Sequence, residues 1–122
     1  MNEIKKKVNE LRDLCFSESF KNGWHTDDNG DILNKNKGEM ISLIHSEISE
    51  ALEGERKGLM DSHLPSRPMA EVELADAIIR IMDYCGKWNY DIGGAIKEKL
   101  EYNKTREDHK RQTRMEIGGK KF

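Results

Sequence analysis

Apolar residues recur along this chain at helical spacing, with no sustained alternation of the strand kind. Behind Asn2, which can cap a first helix, Ile4, Val8, Leu11, Cys15 and Phe20 return on related turns. Residues 22–38 are polar, and Asp27-Asp28-Asn29-Gly30 reads as a turn. A second helix is expected from about residue 39 to 57, stopped by Gly58. The two prolines, Pro65 and Pro68, both fall in the loop that follows. A third helix is expected over about 69–87, broken near Asn89. A fourth should run from an Asp91 cap to about Asp108. The pattern predicts an all-α fold of four main helices in one domain, residues 1–110. Residues 111–122 are expected to form a basic, mobile tail.

Two of these helices carry carboxylates where apolar side chains belong. At 100° per residue, Glu47 falls between Leu43, Met40, Ala51 and Ile44, near the middle of the apolar face, with Glu50 at its edge. An ionised carboxylate left there without a partner costs several kcal/mol or more, or takes up a proton. On the third helix Val72, Leu74, Ala75, Ile78, Ile79, Ile81, Met82 and Cys85 cover most of the circumference. A narrow polar stripe of Glu73, Asp76, Arg80, Asp83 and Lys87 remains. Such a helix is expected to be buried, with an oligomer partner over one flank. Glu47/Glu50 and Glu73/Asp76 are each i,i+3 pairs that can share a helical turn. If the two helices pack side by side, four carboxylates converge. Oxygen-only ligation of this charge suits Mg²⁺ or Mn²⁺ and not zinc, and the absence of Glu-x-x-His from both helices disfavours iron. The competing reading is structural: Asp76–Arg80 and Asp83–Lys87 have the spacing of salt bridges along an exposed stripe, and an arginine could neutralise Glu47.

Composition narrows the field. The chain has 122 residues, of which 35% are hydrophobic and 36% charged, a lean core that makes self-association attractive. A net charge of −2 argues against whole-chain nucleic-acid binding, which is not expected although the C-terminal end is basic. Cys15 and Cys85 lie in helical stretches without metal-ligand spacing and read as reduced, core-facing thiols. With no apolar run of spanning length, a soluble, cytoplasmic protein without membrane contact is expected. His25, His45, His63 and His109 show no ligand spacing.

Ser46-Glu47-Ile48-Ser49-Glu50-Ala51-Leu52-Glu53, then Glu73-Leu74-Ala75-Asp76-Ala77-Ile78-Ile79-Arg80, resemble the metal-binding signature of the MazG-like, all-α nucleoside triphosphate pyrophosphohydrolases. That signature is Glu-Glu-x-x-Glu followed by Glu-x-x-Asp. Lys99-Leu100-Glu101-Tyr102-Asn103-Lys104-Thr105-Arg106 is similar to the family's Lys-x-x-x-Asn-x-x-Arg pattern, and Gly23-Trp24 to an upstream segment. The resemblance spans most of the chain. It implies a four-helix-bundle-type fold completed as a homodimer or homotetramer, and Mg²⁺-dependent cleavage of (d)NTPs to (d)NMP and pyrophosphate. Glu47, Glu50, Glu73 and Asp76 carry over as metal ligands. Lys99, Asn103 and Arg106 carry over as contacts to phosphate or sugar, and Trp24 as a contact to the base. Either Glu47 or Glu50 is then expected to accept the proton of the attacking water. Two departures stand out: Ser46 replaces the first Glu of the doubled pair, and the stretch after Arg106 differs from the family's Pro- and Gly-containing tail. The alternative function is a non-enzymatic helical oligomer whose carboxylates are salt-bridged.

Overall fold

The computed structural model describes residues 1–106 and 110–122, and the predicted end of the fourth helix near Asp108 lies outside them. Its helices are α1 (Asn2–Lys21), α2 (Lys37–Lys57), α3 (Met69–Lys87), α4 (Ile92–Thr105) and α5 (Arg111–Met115). Among the described residues there is no strand, only isolated bridges between Thr26 and Ile32 and between Met60 and Pro68. The fold is all-α. None of its described helices is long and apolar enough to cross a membrane.

The chain divides into two compact units, taken here one at a time: Glu10–Tyr90, and Met1–Asn9 with Asp91–Phe122. In the first, α2 and α3 form the principal packed pair. The Asn36 side chain accepts from the backbone N–H of Glu39 and starts α2, two residues before the predicted position. Gly58, at φ 63°, ends it in the left-handed conformation. The loop after it is closed by its own backbone, with Asp61 N–H donating to Arg67, Arg67 N–H to Leu64 and Met69 N–H to Leu59. Gly54 lets the end of α2 approach the start of α3: a Cβ there would stand 3.0 Å from that of Met69 and 3.1 Å from the amide nitrogen of Ala70. The buried apolar residues of this unit are Cys15, Ala51, Ala70, Ala77, Met82 and Cys85, mostly small ones. Burial pushes both free thiols up from the ordinary cysteine range, which suits an unreactive core role.

In the second unit, Asp91 caps α4 by accepting from the N–H of Gly94 and from the side chain of Asn9, with Lys5 nearby at 3.5 Å. The bond from Asn9, followed by that from Gly94, holds the Asp91 carboxyl below the usual carboxylate range. Gly93 donates its N–H to Asn9 Oδ1. The short helix α5 has no counterpart in the sequence reading; its five residues are too few for a periodic signal.

Candidate metal centre

The α2–α3 packing brings carboxylates from both helices together. Oxygen atoms of Glu47, Glu73 and Asp76 all lie within 4.8 Å of one another. Glu73 hydrogen-bonds to both Glu47 and Glu50, so the fourth predicted residue joins the cluster from the more exposed edge of α2. Glu47 is the buried member, with 9% of its surface exposed, as its position on the apolar face requires.

So many carboxylates cannot all ionise together without a cation. The strain falls on Glu73, whose carboxyl is pushed up to about 8, first by its hydrogen bond to Glu47, then by burial and by its bond to Glu50 with the repulsion of both charges. Asp76 is raised too, by burial first and then by the charge of Glu47. Arg80 opposes that rise, while Asp61 and Glu50 add to it. At neutral pH the cluster therefore holds at least one proton that a divalent cation would displace.

One cation is already in place. Arg80 Nε donates to Glu47 Oε1 at 3.1 Å, the arginine that the structural reading required. The other partner foreseen on the stripe is different. Asp83 takes a hydrogen bond at 2.7 Å from Nε2 of His25, while Lys87 reaches the carbonyl of Leu33. His25 is the most deeply buried large side chain among the described residues, clustered with the rings of Phe16 and Phe20, with Ser19 Oγ 3.3 Å from the same nitrogen. Nε2 donates to the carboxylate, and the buried Nδ1 has no hydrogen-bond partner among the described residues. This histidine anchors the polar segment after α1 to α3. Its neighbours Phe16 and Phe20 at i and i+4 were the available signal.

Asp61 escaped the sequence reading as well. It is buried in the loop between the acidic motifs, accepting from the N–H groups of His63 and Leu64, and its charge acts on Asp76. An Asp two and three residues before backbone donors in a Pro-containing loop is a turn signal that conceals its second effect. Trp24, in the turn that follows α1, is 66% exposed and open to a stacking partner.

The remaining predicted residues lie on α4 (Lys99, Asn103) or just past its end (Arg106), in the other unit. There Lys99 and Arg106 both lie over the ring of Tyr102, at 4.9 and 5.7 Å from its centroid. Asn103 Oδ1 is buried and has no hydrogen-bond partner among the described residues. No family model, curated protein or solved structure matches this chain.

Proposed function

We propose that this chain is a Mg²⁺-dependent nucleoside triphosphate pyrophosphohydrolase of the MazG-like, all-α kind, cleaving (d)NTPs to (d)NMP and pyrophosphate. The observation that carries the proposal is the meeting of Glu47, Glu73 and Asp76 oxygens within 4.8 Å. Three carboxylate oxygens gathered this closely repel one another, and Glu47, Glu73 and Asp76 would hold a divalent cation that relieves the repulsion. Hard oxygen donors on two rigid helices fit Mg²⁺ or Mn²⁺. When bound, such an ion supplies charge neutralisation for the polyphosphate and a more acidic water.

The chain's own residues divide the remaining work. Glu47, Glu50, Glu73 and Asp76 would hold the ion, and Glu47 or Glu50 would accept the proton of the attacking water. Arg80 neutralises Glu47, and with a metal on that carboxylate its guanidinium would be suited to meet phosphate. Lys99, Asn103 and Arg106 bind phosphate or sugar, and Trp24 stacks on the base. The protein works as a homodimer or homotetramer. Support for that comes from Ile41, Ile48, Leu52, Leu74, Ile78 and Ile79, large apolar side chains of α2 and α3 that remain exposed while alanines fill the core.

The test is a panel of NTPs and dNTPs incubated with Mg²⁺ or with chelator, with pyrophosphate as the readout. Metal-dependent pyrophosphate release, abolished in Glu47→Gln and in Asp76→Asn, is expected. Inorganic phosphate in place of pyrophosphate would overturn the α–β assignment. The Arg80–Glu47 bond favours one other reading, a helical oligomer in which the acidic face is structural. It predicts no turnover and a melting temperature indifferent to Mg²⁺.

A further inference from the structure

Residues 110–122 hold Lys110, Arg111, Arg114, Lys120 and Lys121 against a single acidic side chain, Glu116, in a protein whose net charge is −2. The backbone folds these cations back on themselves. Gly118 takes φ 83°, a left-handed conformation that favours glycine, and Gly119 stands so close to α5 that a Cβ would collide with the carbonyl of Thr113. Two consecutive glycines thus serve to return Lys120 and Lys121 to the side of Arg111 and Arg114.

The returned segment is locked by reciprocal bonds. Arg114 donates through Nε to the carbonyl of Lys120 at 3.1 Å and through a terminal nitrogen to that of Lys121 at 3.3 Å. Lys121 Nζ donates to the carbonyls of Arg114 at 2.8 Å and Glu116 at 3.1 Å. In these four bonds every acceptor is a neutral carbonyl oxygen, which orients a cation without cancelling its charge. Between the two arms lies a cavity of about 620 Å³ lined by Arg111, Arg114, Met115, Lys120 and Lys121. Arg111, Arg114 and Lys121, with Lys120 beside them, give this open cavity a positive potential that a multivalent anion would meet.

We propose that this C-terminal hook is a binding site for a polyphosphate group, the tripolyphosphate tail of a nucleotide or free pyrophosphate. The short reach between Arg111, Arg114, Lys120 and Lys121 suits a compact anion of several charges, and Arg114 retains donors beyond the two used on the backbone. The site shares no residue with the carboxylate cluster, and its occupation needs no metal. The hydrolase reading can therefore fail while this one stands, and the reverse.

Calorimetry on the full-length protein in chelator, at low salt, tests it with tripolyphosphate, pyrophosphate, ATP, sulfate and a short single-stranded oligonucleotide. Tripolyphosphate and ATP are expected to bind with one-to-one stoichiometry and similar affinity, because the phosphates are what is recognised. Pyrophosphate binding as tightly as tripolyphosphate would make the free diphosphate the preferred source; weaker binding would make it the nucleotide tail. Arg111→Gln with Lys120→Gln, two exposed positions, should weaken binding about tenfold or more for the loss of charged contacts. Glu47→Gln should leave binding unchanged. Gly119→Val, which unseats the returning arm while keeping every charge, should weaken it as much as the charge variants do. No heat of binding, equal affinity for sulfate, or full affinity in Gly119→Val would overturn the site. Tighter binding of the oligonucleotide, with a salt dependence of many phosphates, would assign the hook to nucleic acid and overturn the proposal equally.

Discussion

Glu73 holds its proton because Glu47 and Glu50 face it, and this gives the cluster a pH signature of a definite sign. Its folded value of about 8 lies above the ordinary carboxylate value of 4.5. Between those limits the folded protein keeps a proton that the unfolded chain has lost, so stability falls as pH rises through that window. Without divalent cation, the melting temperature should therefore decline from pH 6 to 9. Glu73→Gln, which cannot ionise, should flatten the decline and melt above the parent protein at pH 9. A parent curve already flat across that range would remove Glu73 from the cluster. With saturating Mg²⁺ the slope should flatten, because carboxylates holding the ion keep no extra proton in the folded state. The ion must displace the proton, so affinity should rise towards pH 8 and binding near pH 7 should release about one proton. Calorimetry in buffers of different ionisation enthalpy measures that release directly.

At the scale of elements, the limits of the helices were legible because their punctuation is local. Gly58 and Asp91 stop α2 and start α4 as their chemistry dictates, and the third helix runs over the predicted residues 69–87. The convergence of Glu47 with Glu73 and Asp76 was legible for a related reason: a carboxylate on an apolar stripe needs a partner, and the next helix offers one. What remained hidden depends on contacts distant in sequence. His25 meets Asp83 across 58 positions, and Gly86 takes its meaning from Phe16 on α1. A Cβ on Gly86 would overlap the side chain of Phe16. Alanine in a helix gains about 0.5–1 kcal/mol over glycine, but overpacking costs about 1–3 kcal/mol, so the loss outweighs the gain. Gly86→Ala should lower the denaturant midpoint without changing the slope of the transition. Asn36→Ala, removing only the α2 cap, should cost about 1 kcal/mol. A neutral Gly86→Ala would mean that α1 does not press on α3 at this point.

At the scale of the whole molecule, charge and apolar surface make opposing demands on assembly. Residues Glu10–Tyr90 carry sixteen Asp and Glu against nine Lys and Arg, and the exposed isoleucines and leucines of α2 and α3 belong to this same acidic unit. A second copy seated on those helices gains the burial of large side chains, each worth about 1.5–3 kcal/mol when fully covered, but brings two acidic bodies together. Apolar burial is insensitive to modest salt, whereas repulsion between exposed charges is screened beyond about 8 Å at physiological ionic strength. The two contributions can therefore be separated. Light scattering behind size exclusion should find a dimer or larger species that tightens as sodium chloride rises from about 0.01 to 0.3 M. Ile78→Lys, at a residue with 48% of its surface exposed, should give monomers at every salt concentration and a melting temperature lower than the parent's. Assembly that weakens with salt would rest on opposite charges of two copies, and would leave the apolar faces of α2 and α3 without a partner copy.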